Sequence, residues 1–540
     1  MRIFFLIIFL LNNIGFSKAQ APNYVSKVWV ADNGDGTYKN PIIHADYSDP
    51  DAIRVGDDYY MISSSFNAVP GLPILHSKDL VNWAIIGHAM QKQVPEKDFD
   101  MVQHGNGVWA PSIRYHNGMF YIFSPDPDRG IFVLKSKEIT GPWTDPILVE
   151  AGKGLIDPCP LWDDNGKVYL AHAYAGSRAG LKSIIVVKEL NAAAEKVIGN
   201  AVMVYDGHVN DATVEGPKFY KRNNFYYIFA PAGGVSTGWQ IVLRSKNIYG
   251  PYERKIVMVQ GKSTVNGPHQ GAWISTPSGE DWFLHFQDIE AYGRVVHLQP
   301  MAWKNDWPVI GTDTDGDGLG QPVMTYKKPN IKIKTSASSP QESDEFNLPK
   351  LGLQWQWQAN PKEGWVFPTS NGYATMLCIK QPDSMKNYWM LPNFLSQKLP
   401  AEEFTAVTKI KFYPQNSNDR TGLILFGSDY AFIGLVKKDS GIFVSYNVCI
   451  NAEKGTRETE TIVKKVNSSN AWLKIIVSKN ATASFAFSED GIKFIKLPQS
   501  FTSKPGKWVG AKIGLFASST TKTNNTGYVN VDWFRIEKNN

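Results

Sequence analysis

Ser48-Asp49-Pro50-Asp51-Ala52-Ile53-Arg54-Val55-Gly56-Asp57-Asp58-Tyr59-Tyr60-Met61-Ile62 reads as an acidic turn, a short strand, a Gly-Asp-Asp turn and a second strand rich in aromatic and β-branched residues. Turn chemistry and alternation together specify a β-hairpin. The pattern returns four times. Trp109-Ala110-Pro111-Ser112-Ile113-Arg114-Tyr115 leads through His116-Asn117-Gly118 into Phe120-Tyr121-Ile122-Phe123, and Asp157-Pro158-Cys159-Pro160-Leu161-Trp162 leads through Asp164-Asn165-Gly166 into Val168-Tyr169-Leu170-Ala171. Glu215-Gly216-Pro217-Lys218-Phe219-Tyr220 precedes Tyr226-Tyr227-Ile228-Phe229, and His269-Gln270-Gly271-Ala272-Trp273-Ile274-Ser275 precedes Trp282-Phe283-Leu284-His285. Taken as equivalent, Tyr60, Tyr121, Tyr169, Tyr227 and Phe283 are spaced 61, 48, 58 and 56 residues apart. A period this long and this aromatic specifies propeller blades, each a four-stranded sheet around a central channel.

Working outward, a third strand follows every hairpin, as in Ile74-Leu75-His76-Ser77, Phe132-Val133-Leu134 and Ile184-Ile185-Val186-Val187. Five blades are therefore expected within a propeller domain over 20–325. The segment 326–343, rich in Lys, Pro and Ser and poor in periodicity, reads as a linker. Beyond it, 344–540 carries short strands at regular spacing, among them 404–412, 422–426, 431–436, 442–448, 472–478, 484–488, 511–517 and 529–536, which suggests an antiparallel β-sandwich. The fold class is all-β.

A chain of 540 residues is too long for one core, so two domains agree with its length. The aromatic share of 13%, with 17 Trp, suits sheet packing and equally suits stacking on the C–H faces of sugars. The net charge of +6 comes from 56 Lys and Arg against 50 Asp and Glu, scattered along the chain, which leaves no nucleic-acid footprint. Met1-Arg2 and the apolar run Ile3 to Leu11, followed by Ser17-Lys18-Ala19, read as a signal peptide over 1–19. The expected product is an exported protein, periplasmic or extracellular, with no membrane partner, because no apolar run is long enough to span a bilayer. Three cysteines make no disulfide framework, and the pairing of Cys378 with Cys449 stays open. Asp313-Thr314-Asp315-Gly316-Asp317-Gly318 starts like a calcium loop, but Met324 stands where an EF-hand needs Glu, so it reads as an acidic surface turn.

The chemistry stands at the heads of the five first strands: Asp49, Trp109, Asp157, Glu215 and His269. First strands line a propeller's axis, so these side chains should converge at one mouth. Asp before Pro is a common turn former, and a single Asp-Pro would carry no argument. Three acids, a His and a Trp at equivalent positions do. Carboxylates crowded in a partly desolvated funnel must separate their pKa values, as acid–base work on a glycosidic bond requires.

Asp49-Pro50 with its hairpin, Ile156-Asp157-Pro158, Val214-Glu215-Gly216-Pro217 and Gly293-Arg294-Val295 resemble the signatures of glycoside hydrolase family 43, inverting enzymes on five-bladed propellers. Asp344-Glu345-Phe346 and 351–357 resemble the concanavalin A-like domain that follows many β-xylosidase-type members. The resemblance implies Asp49 as general base, Glu215 as general acid and Asp157 as the residue that tunes and orients that acid. It implies Phe66, Trp109 and Arg294 at the innermost sugar subsite. It places His269 on the axial channel, where members often hold a calcium ion or a water cluster; no cofactor is otherwise required. The implied activity is release of terminal pentose, β-D-xylosyl or α-L-arabinofuranosyl, from plant cell-wall oligo- or polysaccharide. One departure is Phe66-Asn67-Ala68-Val69-Pro70-Gly71 where many members have Phe-Glu-Trp-Phe-Pro-Gly, which predicts a roomier leaving-group side. A non-catalytic sugar-binding propeller and a propeller glycosidase of other specificity are the alternatives; a lectin has no need of a base, an acid and a tuner on one axis.

Overall fold

The computed structural model describes residues 24–369 and 371–539; the signal-peptide segment 1–19 lies outside them. Five antiparallel four-stranded sheets follow one another in chain order. Blade one runs Asp51–Val55, Asp58–Ile62, Gly71–Ser77 and Trp83–Met90, and blade two runs Ser112–His116, Met119–Asp126, Gly130–Ser136 and Ile147–Ala151. Blades three, four and five start with the inner strands Leu155–Trp162, Lys218–Arg222 and His269–Ser275. Hairpin turns form where Gly or Asn accepts a left-handed backbone, as at Gly56 (φ 63°) and Asn117 (φ 48°).

The aromatic excess is spent largely between blades. Tyr227 and Phe229 of blade four pack with Phe283 and Met301 of blade five, and the partly buried Trp273 and Trp303 join that cluster. Trp83 is buried in the core formed where blades one and five meet. Burying rings of this size contributes about 1.5–3 kcal/mol each, which suits a fold whose blades must cohere without crossing strands. The ends of the propeller are joined by pairing of Thr37–Lys39 with Thr325–Lys327.

The second domain is a sandwich of two seven-stranded sheets. In one sheet Phe404–Tyr413 lies between Tyr528–Glu537 and Asn470–Ser478; in the other Arg420–Phe426 lies between Lys512–Ser519 and Tyr430–Lys438. Inward-facing Leu423, Leu425, Ile433, Leu473, Phe485, Ile513 and Val531 form its core. All three cysteines, Cys159, Cys378 and Cys449, are buried free thiols. Among the described residues no helix is long and apolar enough to cross a membrane.

The two domains are pressed together. Val69 and Trp357 exchange backbone hydrogen bonds of 3.0 and 2.6 Å across the boundary. Asn360 Nδ2 donates to Gln93 O at 3.0 Å, and Gln356 Nε2 to Pro70 O at 2.8 Å. Asn67 Nδ2 donates to Gln358 O at 2.6 Å, so the 66–71 loop of blade one leans on the sandwich.

The axis itself is filled by a polar network. Asp51 is wholly buried and accepts from Ile113 N at 2.8 Å and from Arg114 Nη1 at 2.7 Å. Arg114 Nη2 reaches Cys159 Sγ at 2.7 Å, and Phe219 N donates to the same sulfur at 3.2 Å. Lys218 Nζ donates to Pro111 O at 3.0 Å. Blades one to four are thus cross-linked just beneath the heads of their inner strands.

Candidate active site

Asp49, Phe66, Trp109, Asp157, Glu215, His269 and Arg294 all line one pocket at the mouth of the axis. Its cavity volume is about 100 Å³, so the pocket is a small one. Asp49, Asp157 and His269 arrive by local irregularities. Asp49 (φ 55°) and Asp157 (φ 58°) both adopt the left-handed backbone that a non-glycine residue takes at a cost of roughly 1–2 kcal/mol, Asp being among the more tolerant types. At Asp157 the ladder with Val168–Tyr174 slips between Ile156 and Cys159. At His269 the register shifts before Gly271. Bulges of this kind re-aim side chains, here toward the channel mouth.

Asp49 is surrounded by donors. Its Oδ2 accepts from Ser48 Oγ at 2.8 Å and from Ser64 Oγ at 2.5 Å, and Arg294 Nη1 lies 3.2 Å from Oδ1. Arg294 also donates to Ser48 Oγ at 2.7 Å and lies over the Phe286 ring at 4.9 Å. Asp157 sits deeper and is buried, with Gly216 N donating to its Oδ2 at 2.7 Å. Burial first, then the neighbouring Glu215 carboxylate and the more distant Asp49, push Asp157 well above the usual carboxylate range, against the pull of that N–H. Glu215 is paired with His269, whose Nε2 lies 3.0 Å from Oε1.

The aromatic wall is built from both domains. Trp109 donates Nε1–H to Gly105 O at 2.9 Å, meets Phe66 edge-on at 6.3 Å between centroids and meets Trp508 at 6.0 Å. Trp508 belongs to the sandwich, in the loop between Ile495–Thr502 and Lys512–Ser519, and is 47% exposed. It completes the pocket from outside the propeller. Sequence reasoning did not single it out, nor Val235 and Gln270, which also line the pocket. Val235 lies in the loop between the strands Phe225–Ala232 and Trp239–Ser245.

Two expectations change. Asn67 and Ala68 are buried, and Asn67 turns to Gln358 of the sandwich; neither lines the pocket, so the expected extra room does not arise from them. His269 offers little to a cation. Its Nε2 faces Glu215, its buried Nδ1 has no partner, and the axis below it carries Arg114 and Lys218. Among the described residues the one group of three potential metal ligands is Asp313, Asp315 and Asp317, on an outlying turn. The His269 ring above a cationic axis does not fit a calcium ion held by protein oxygens.

Residues 38–308 match the family model of glycosyl hydrolases family 43, and residues 343–537 match that of the β-xylosidase C-terminal concanavalin A-like domain. The chain is 38% identical to a putative β-xylosidase of Xylanibacter ruminicola, covering 91% of this chain and 89% of the relative. It is 28% identical to a non-reducing end α-L-arabinofuranosidase of Bacteroides ovatus, covering 92% and 94%. The solved structure of a xylan β-1,4-xylosidase from Bacillus halodurans superposes with a TM-score of 0.81 over 93% of this chain and all of that one, at 22% identity, a likeness of fold.

The raised Asp157 carboxyl makes a stability prediction. A group whose folded pKa is raised contributes stability fully present below its unfolded value, about 3.9, and lost as pH rises through the folded value. Asp157→Asn keeps an acceptor for Gly216 N–H and cannot ionise. Its melting temperature relative to the native protein should therefore climb between pH 4 and pH 8, by about 1.4 kcal/mol of stability for each unit that separates the two values. A difference that stays flat across that range would show that Asp157 titrates normally.

Proposed function

The chain belongs to glycosyl hydrolase family 43, and on that premise we propose that it is an exported, inverting exo-glycosidase releasing terminal pentose from plant cell-wall oligo- and polysaccharides. The observation that carries this reading is the meeting of Asp49, Asp157 and Glu215, from three different blades, around a single small pocket. Asp49 is the general base. Ser48, Ser64 and Arg294 fix its position, and its remaining lone pair takes a proton from the attacking water. Glu215 is the general acid. In the tautomer with the proton on Nε2, His269 donates to Oε1 and leaves Oε2 to carry a proton to the departing sugar oxygen. Asp157, reluctant to ionise, stands behind Glu215 and orients it through the Gly216 N–H.

Pocket shape supports exo action. Phe66, Trp109 and Trp508 wall it on the open side, and a blind pocket admits a chain end where an endo-acting enzyme needs a cleft. Relatives named for β-xylosidase and for α-L-arabinofuranosidase activity align over nine-tenths of the chain. A pocket tells two pentoses apart by contacts worth about 1–3 kcal/mol, so activity on both xylosyl and arabinofuranosyl ends is expected. The leader-like 1–19 segment supports export.

Glu215→Gln should slow release of poor leaving groups by about 10²–10⁴-fold and spare activated aryl pentosides, which need little protonation. Asp49→Asn should be severe on every substrate. Equal, small losses from the three acids would overturn the assignment. Sizing of early products from linear xylan and arabinan should give monosaccharide alone; a ladder of internal oligosaccharides would refute the exo reading.

A further inference from the structure

Asp46 belongs to neither the acid trio nor the pocket lining, yet it is buried at the point where the two domains touch the site. Its Oδ1 accepts from Arg294 N at 3.0 Å, and its Oδ2 accepts from Gly510 N at 2.8 Å. The first N–H belongs to the arginine whose guanidinium holds Asp49; the second lies two residues beyond Trp508. The joint is tight. A Cβ on Gly293 would stand 2.5 Å from Asp46 Cγ, and one on Gly510 would stand 2.7 Å from Gly293 N, so both backbones pass where only glycine fits. Ala511 N donates to Ala291 O at 2.7 Å beside it.

The surroundings explain why a carboxylate is needed there. Lys398 and Lys512 are register partners in the sandwich, and the Asp46 charge favours the charged form of both. Burial, with the neighbouring Lys398, pushes Lys512 down to about 8, and Asp46 is the charge that opposes the shift. One carboxylate therefore satisfies two buried N–H groups from different domains and offsets the charge of a neighbouring lysine pair.

We propose that Asp46 is a positioning residue: it ties the sandwich loop bearing Trp508 to the backbone of Arg294, so that the outer wall of the pocket and the Arg294–Asp49 pair are set together. This rests on the reading of the pocket as the sugar site. The domain contact then helps to define the substrate pocket as well as to stabilise the fold. A merely adhesive contact would cost stability when broken and leave kinetics alone.

The test is a double-mutant cycle of Asp46→Asn and Trp508→Ala, read in kcat and KM on a pentose disaccharide well below the melting temperature. Asn can accept from one of the two N–H groups and opposes the other with its own NH₂. Trp508→Ala is expected to raise KM with kcat nearly unchanged. Asp46→Asn is expected to raise KM and lower kcat, with a loss in kcat/KM on the order of tenfold, since about 1.4 kcal/mol is a factor of ten. Its KM effect should largely vanish in the Trp508→Ala background. KM effects that multiply, or native kinetics in a less stable Asp46→Asn protein, would overturn the proposal. If Asp46→Asn does not fold, Asp46→Glu keeps the charge beside the lysines and displaces the carboxylate from both N–H groups, and the same cycle applies. Glu215→Gln run alongside separates the two claims. An inactive Glu215→Gln with multiplying effects sinks only the role of Asp46, whereas an active one sinks the pocket reading and this inference together.

Discussion

The buried Asp51–Arg114 pair is the contact on which the site depends. Arg114 is held at 2.7 Å by a carboxylate with no solvent exposure, and its other arm rests on Cys159. Replacing such a pair with apolar residues of like volume can be neutral, but removing one partner leaves a buried charge and costs about 3–5 kcal/mol. The network joins blades one, two and three beneath their strand heads. The acids two residues before Asp51 and Cys159 are thereby held in fixed relation to one another around the pocket they both line.

Electrostatics does the rest. Asp49 and Asp157 come from equivalent repeats and share a left-handed backbone, yet their neighbourhoods are opposite. Asp49 faces two hydroxyls and a guanidinium. Asp157 has one backbone N–H, a carboxylate neighbour and almost no solvent exposure. Equivalent positions in a repeat thus hold carboxyl groups in contrasting surroundings, and Asp157 is the one that burial and its acidic neighbours push toward the protonated form. Glu215, between Asp157 and His269, takes its orientation from both sides.

Much of this was legible in the sequence because a propeller repeats itself. Five hairpins in register identify five strand heads, and the positions of Asp49, Asp157 and Glu215 follow from counting. Arg294 and Phe66 needed the resemblance, since neither stands at a strand head. Trp508 carried no such signal: it lies in a loop of the other domain, and only the packing of the domains brings it to Trp109. Asn67 misled for a related reason, because its loop is held by Gln358 and Trp357 of the sandwich, which one repeat cannot foretell. Within the sandwich the buried central strands were clear, whereas Thr459–Val466 and Ile495–Thr502 were not. Both are edge strands, one charged and mostly exposed, the other containing Pro498, and neither alternates cleanly.

The division of labour between Asp49 and Glu215 is tested most directly by proton NMR of the anomeric region during the first minutes of hydrolysis of a β-xyloside. A water activated by Asp49 on the face opposite the leaving group delivers the α-anomer first, with the β-anomer growing in only by mutarotation. First appearance of the β-anomer would mean a covalent intermediate and a carboxylate acting as nucleophile, and would contradict the account.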